Sequence, residues 1–119
     1  MVRSVSIGSD PVLQLAGVIE ATRRVLERAG LRPPDIDHFE VNEAFACVPL
    51  AWLHDMQVDD RKVNPRGGAI ALGHPLGATG VRLTATMLHA LEDTGGRYGL
   101  QTMCIGHGMA NATVIERLD

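Results

Sequence analysis

Aromatic residues are nearly absent from this 119-residue chain: Phe39, Phe45, Trp52 and Tyr98 make up 3% of it. Any core it forms therefore has to be aliphatic and rich in alanine. There is also no excess of positive charge. Eleven basic residues stand against fourteen acidic ones, for a net charge of −3, with no basic run. That excludes the electrostatic footprint of a nucleic-acid partner or of polybasic membrane binding. No apolar run approaches the roughly 20 residues needed to span a bilayer. The opening residues Met1 to Ser6 show no secretory hydrophobic region, so a cytoplasmic location is expected. Cys47 and Cys104 form no Cys-x-x-Cys pair, and His38, His54, His74, His89 and His107 never fall at i, i+3 or i, i+4. No zinc or other metal site is expected, and both thiols are expected to be free.

What is present describes a folded α/β domain. Hydrophobic residues are 45% and charged residues 21%, and the length suits one domain, 1–119, with a modest core and no internal repeat or linker. Val2–Ile7 reads as a strand closed by Gly8. Asp10 followed by Pro11 reads as an N-cap and first helical residue. Leu15, Val18, Ile19, Thr22, Val25, Leu26 and Ala29 then recur at helical spacing, and Gly30 stops the helix. Pro33–Asp35 is a turn and Ile36–Val41 a short strand. Asn42 reads as the cap of a second helix, with Phe45, Val48, Trp52, Leu53 and Met56 as its buried stripe and Pro49 as a kink. Lys62–Asn64 is a possible short strand. A third helix is expected over Gly77–Asp93, with Val81, Thr84, Met87, Leu88 and Leu91 facing inward. Tyr98–Ile105 and Met109–Leu118 are joined by too few residues for a crossover, so they form an antiparallel hairpin. The order β-α-β-α-β-α-β-β argues for a mixed sheet packed with helices.

Between the second and third helices lies the most unusual stretch, Asn64 to Gly80. It holds five glycines, two prolines and one histidine in seventeen residues. His74 between Gly73 and Pro75 must be extended, because the residue before proline is excluded from the α region. Two further loops carry reactive groups: Asn42-Glu43-Ala44-Phe45 after one strand, and Cys104-Ile105-Gly106-His107-Gly108 at the end of another. In α/β sheets such strand-end loops converge on sites. Asparagine offers donor and acceptor, histidine a titrating ring, cysteine a base or nucleophile, and Gly106 a bare backbone N–H for an oxyanion. Each also has a structural reading. Asn42 serves equally as a cap, Cys104 as a small buried hydrophobe, and Gly106 and Gly108 as hairpin-turn residues. His38, His54 and His89 read as surface or capping residues, and Cys47 as packing.

Taken together, Asn42-Glu43-Ala44-Phe45-Ala46, the Asn64–Gly80 stretch and Cys104-x-Gly106-x-Gly108 resemble, in order and spacing, the three C-terminal signatures of thiolases, the acyl-CoA:acetyl-CoA acyltransferases. The resemblance covers the chain from Ile7 to Arg117. It implies the second of the two similar α/β halves of that fold. It implies that Cys104 exchanges a proton with the α-carbon of acetyl-CoA, and that His74 activates the acyl-accepting cysteine and polarises the thioester oxygen. Asn42 then positions a water in that oxyanion hole, and Gly106 donates its amide to a second one. Glu43 is expected at a helix start or behind the site. Coenzyme A thioesters are implied as substrates, with no tightly bound cofactor. His107 departs from the further glycine many thiolases place there; an outward side chain is favoured over one entering the acyl pocket.

The resemblance also marks what is missing. The acyl-accepting cysteine and most of the coenzyme A contacts belong to regions of the family outside this one, and Cys47 lacks the context to replace that cysteine. The expectation is a catalytic domain that is inactive without an N-terminal thiolase half, or that works in a homo-oligomer. The competing expectation is a non-catalytic module of the same fold that acts by association with a thiolase-like partner. The trio Asn42, His74 and Cys104 favours the first.

Overall fold

The computed structural model describes residues 2–118. Its strands are β1 (Arg3–Gly8), β2 (His38–Val41), β3 (Tyr98–Ile105) and β4 (Met109–Glu116), in the sheet order β1-β4-β3-β2. β3 and β4 form the expected antiparallel hairpin, β1 pairs antiparallel with β4, and β2 pairs parallel with β3. β1, β2 and β3 thus run in one direction, and their C-terminal ends share one edge of the sheet. The mixed α/β class follows the sequence expectation. The third predicted strand reduces to a single parallel bridge between Val63 and Phe39.

Two layers of helix cover the sheet. On one face lie α1 (Gly17–Ala29) and α2 (Cys47–Met56). Val18, Val25, Trp52, Phe39, Val41 and Leu100 are almost wholly buried there. Trp52 meets Phe39 edge-on at 5.2 Å between ring centroids. Its indole N–H donates to Thr22 Oγ1 at 2.9 Å, and that hydroxyl donates back to Val18 O at 2.7 Å. The one tryptophan thus joins α1, α2 and β2 with its polar edge satisfied. On the other face lies α4 (Thr79–Thr94), which buries Thr79, Leu83, Met87, Ala90 and Leu91 against β2 and β3. Gly99 on β3 admits Met87, since a Cβ there would stand 2.6 Å from its side chain. Among the described residues no helix is long and apolar enough to cross a membrane.

Several expectations are corrected here. The α-helix begins at Gly17, six residues after Pro11. Asp10 does accept from Val12 N at 2.7 Å and Leu13 N at 3.3 Å, but it caps a turn that passes through a 3-10 segment at Gln14–Ala16. Asn42 does not cap α2, because a loop intervenes and the helix starts at Cys47. Pro49 then falls in the first turn, where an N–H has no intrahelical partner anyway, so it costs no hydrogen bond. Phe45 precedes the helix and is exposed, and Cys47 is exposed rather than packed. β2 starts at His38 rather than Ile36, and β4 ends at Glu116 rather than Leu118. On α4, Met87 and Leu91 face inward as expected, but Val81 and Leu88 face outward, with Val81 75% exposed, and Thr84, though exposed, donates its hydroxyl to Gln101 Oε1 on β3 at 2.8 Å. His38 is neither a surface nor a capping residue. It is buried, with Nε2 2.7 Å from Oε1 of the fully buried Glu40.

Candidate functional site

The strand ends gather the loops as the parallel direction requires. Asn42 follows the last residue of β2, and its N–H donates to Thr102 O at 3.0 Å. Cys104 is the penultimate residue of β3, the adjacent strand, and Gly106 opens the β3–β4 turn. That turn is pinned from below. Ser9 donates from its N–H to Gly108 O at 2.6 Å and from its hydroxyl at 2.8 Å. Gly108, at φ +80°, lies so close to the Asp10–Pro11 backbone that a Cβ would stand 2.9 Å from Pro11 Cα. Gly106 differs. A Cβ there would meet nothing within 4 Å, and its φ is not left-handed. Nothing among the described residues requires a glycine at that position.

His74 reaches Asn42 from the glycine-rich stretch. A short helix, α3 (Ala69–Leu72), ends at Gly73 with φ +90°, and this reversal presents His74 to the strand ends. Asn42 Nδ2 lies 3.4 Å from His74 Nε2, and His74 Nδ1 lies 2.7 Å from Thr79 Oγ1. The Thr79 hydroxyl donates to Pro75 O at 2.9 Å. With that proton committed, the hydroxyl oxygen accepts from Nδ1–H, and Nε2 is the ring nitrogen turned to Asn42. Asn42 itself is buried, and its Oδ1 has no hydrogen-bond partner among the described residues. A buried acceptor in that state is suited to taking a donor from a ligand or water.

Cys104 is half-buried and shares the α1-covered face of β3 with Thr102, whose hydroxyl lies 3.4 Å from Val18 O. Burial pushes its thiol up from the ordinary value of 9.0. A backbone hydrogen bond opposes the rise, and nearby Cys47 adds to it. The thiol is therefore held protonated near neutrality. No hydrogen bond links Cys104 to His74 or Asn42 among the described residues. The structure joins Asn42 to His74 directly and brings Cys104 and Gly106 to the same sheet edge. His107 stands exposed in the turn at φ +67°, a left-handed position that disfavours a β-carbon. Among the described residues no group of three or more His, Cys, Asp or Glu side chains is placed to hold a metal ion.

Two residues that the motif reading left without a role prove central to this geometry. Thr79 occupies a variable place in the motif, and its signal was only that a hydroxyl follows His74 by five residues at a helix start. Asn64 was read as part of a short strand. It accepts from Val41 N and donates to Val41 O, both at 2.8 Å, and so closes the end of β2.

The family profile described as "Thiolase, C-terminal domain" matches residues 1–117. The chain belongs to that family. It is 63% identical over 110 residues to the steroid 3-ketoacyl-CoA thiolase of Mycobacterium tuberculosis, covering 92% of this chain and 27% of that protein. It is 48% identical over 121 residues to the 3-ketoacyl-CoA thiolase of Marinobacter nauticus, covering 98% and 31%. The crystal structure of human mitochondrial 3-ketoacyl-CoA thiolase superposes with a TM-score of 0.95 at 43% identity, over 98% of this chain and 30% of that one. The chain therefore spans less than a third of the length of these thiolases.

Proposed function

We propose that this thiolase C-terminal domain, taken as one unit over residues 1–119, contributes to acyl transfer between coenzyme A thioesters. In this reading the acyl-accepting cysteine comes from the part of a thiolase this chain does not match. The observation that carries the reading is the pairing of His74 Nε2 with a buried Asn42 at the strand ends. A neutral imidazole can take the proton of a thiol. Its Nε2–H then points at the thioester oxygen, where negative charge develops. The partnerless Oδ1 of Asn42 supports a role in holding a water or substrate hydrogen in the same hole.

Cys104 serves the second bond change. In thiolysis the sulfur of the acyl-accepting cysteine bonds to the β-carbon of a 3-ketoacyl-CoA, the bond between the α- and β-carbons breaks, and the departing carbanion takes a proton from Cys104. The incoming coenzyme A thiol then gives its proton to Cys104 as its sulfur takes the acyl group from that cysteine, whose thiolate leaves and regains a proton from His74. A thiol held protonated is ready for the first of these transfers. Gly106, whose α-carbon faces open space, leaves room for the thioester oxygen to approach its amide. Coenzyme A thioesters are substrates in this scheme, and no tightly bound cofactor enters it. The relatives named as 3-ketoacyl-CoA thiolases, one of them acting on steroid derivatives by its name, support a 3-ketoacyl-CoA substrate class.

Without a nucleophile the chain alone is expected to be inactive. The outward apolar side of α4 supports association with an N-terminal thiolase half or a further thiolase-like subunit. The test is thiolysis of acetoacetyl-CoA by this chain alone and mixed with a separately produced N-terminal half. Activity only in the mixture, abolished by Cys104→Ala, supports the proposal. Activity in the isolated chain refutes its inactivity. Tight association that yields no thiolysis favours the alternative, a module of this fold that works by binding a thiolase-like partner.

A further inference from the structure

We infer that Glu43 is a positioning residue: its carboxylate clamps the glycine-rich loop to the end of β2 and so sets His74 against Asn42. The inference rests on the catalytic reading above for its purpose, but the clamp stands on geometry alone. Glu43 is the chain neighbour of Asn42, and its side chain bridges two points of the loop. Oε1 accepts from Asn64 Nδ2 at 2.9 Å, and Oε2 accepts from Ile70 N at 2.9 Å. The orientation of the Asn64 amide is settled by the main chain. Its Oδ1 takes Val41 N–H, and one Nδ2 proton goes to Val41 O, which leaves the other for Glu43. Ile70 N is one of the amides at the start of α3 that has no intrahelical acceptor. Four residues beyond Ile70 stands His74.

Gly68 reports how tightly the carboxylate closes on the loop. A Cβ on Gly68 would fall 2.2 to 2.5 Å from the three carboxyl atoms of Glu43. The φ of Gly68 is −106°, so close approach rather than backbone conformation is what demands glycine there. Packing alone holds this segment loosely: Ile70 to Gly73 and Pro75 to Ala78 are exposed, and the buried residues Gly68, Ala69 and Thr79 flank them. Nor does Glu43 act at the start of α2, where an acidic residue was expected to serve. That helix begins four residues later, and its first turn holds no acidic residue.

Two measurements on the 119-residue chain test the clamp without any assay of activity. In a stability cycle, Gly68→Ala is expected to destabilise the native background and to cost clearly less in a Glu43→Ala background, where the methyl has room. Additive losses overturn the contact. In long-range ¹⁵N–¹H spectra, Glu43→Gln is expected to shift the His74 ring signals while leaving those of buried His38 in place. The His38 signals show that the core remains folded. Unmoved His74 signals overturn the positioning role. In the mixture with an N-terminal half, Glu43→Gln is expected to lower kcat by up to about 100-fold, the loss a misplacement of about 1 Å at a reacting group can bring, with KM little changed. That loss should vanish in a His74→Ala background, and a loss that persists there overturns action through His74. Inactivity of the unsubstituted mixture, with the spectra as expected, supports the clamp and refutes the catalytic reading.

Discussion

Cys104 shows how a single side chain takes its chemistry from its surroundings. Its place in a strand over Tyr98–Ile105 was legible in the sequence, but half-burial, not strand membership, raises its thiol above 9.0. In a Cys47→Ala background the rate of Cys104 alkylation by iodoacetamide should rise with pH through a midpoint above 9.0. That midpoint should sit lower than in the chain with Cys47 retained, because the neighbouring thiolate adds to the rise. A midpoint at or below the ordinary value would contradict the burial argument. The sign for stability follows from the same shift. The folded state holds this proton more tightly than the unfolded chain, so the contribution is present below the ordinary thiol value and is lost as pH climbs through the folded one. Among the other site residues, Asn42 and His74 were legible as reactive groups. Their mutual distance, and the Thr79 hydroxyl that assigns the His74 proton, were not. Hydrogen bonds between residues 32 positions apart leave no trace in local sequence.

At the level of elements, the errors fall where periodicity meets an unknown environment. On α4 Val81 and Leu88, seven residues apart, fall at helical spacing just as the residues the chain buries do. Helical spacing reveals stripes, not which of them meets the sheet. The outward stripe is expected to be an interface. Val81→Glu with Leu88→Glu should leave the far-UV circular dichroism of the chain unchanged and its stability within about 0.5 kcal/mol, as for exposed sites generally. The same pair should abolish binding to an N-terminal thiolase half. Retained binding would show that α4 docks nothing. The start of α2 was misplaced for a different reason. Asn42 has the composition of a cap, but the chain continues as a loop until Cys47, so no first-turn N–H of a helix stands two or three residues on for its Oδ1 to accept.

For the whole molecule, the decisive fact is proportion: this fold accounts for about 30% of the human thiolase it superposes on. Val12, Leu13, Phe45 and Leu76 are exposed on the loops around the strand ends, Ile70 and Leu72 on α3, and Val81 and Leu88 on α4. Patches of this kind on a chain of 119 residues favour association. Light scattering at micromolar concentration should show self-association of the isolated chain, relieved by an N-terminal thiolase half. A monodisperse monomer of 12.8 kDa would contradict this. Sequence alone determined the α/β class, the β3–β4 hairpin, the identity of the three loops and the family, because each is written in short-range pattern or in contiguous motifs. Only the tertiary structure decided which face of α4 is buried, that His38 lies in the interior against Glu40, and that Glu43 closes over Gly68. Those outcomes depend on which distant segments pack over each face of the sheet, and local spacing does not record that.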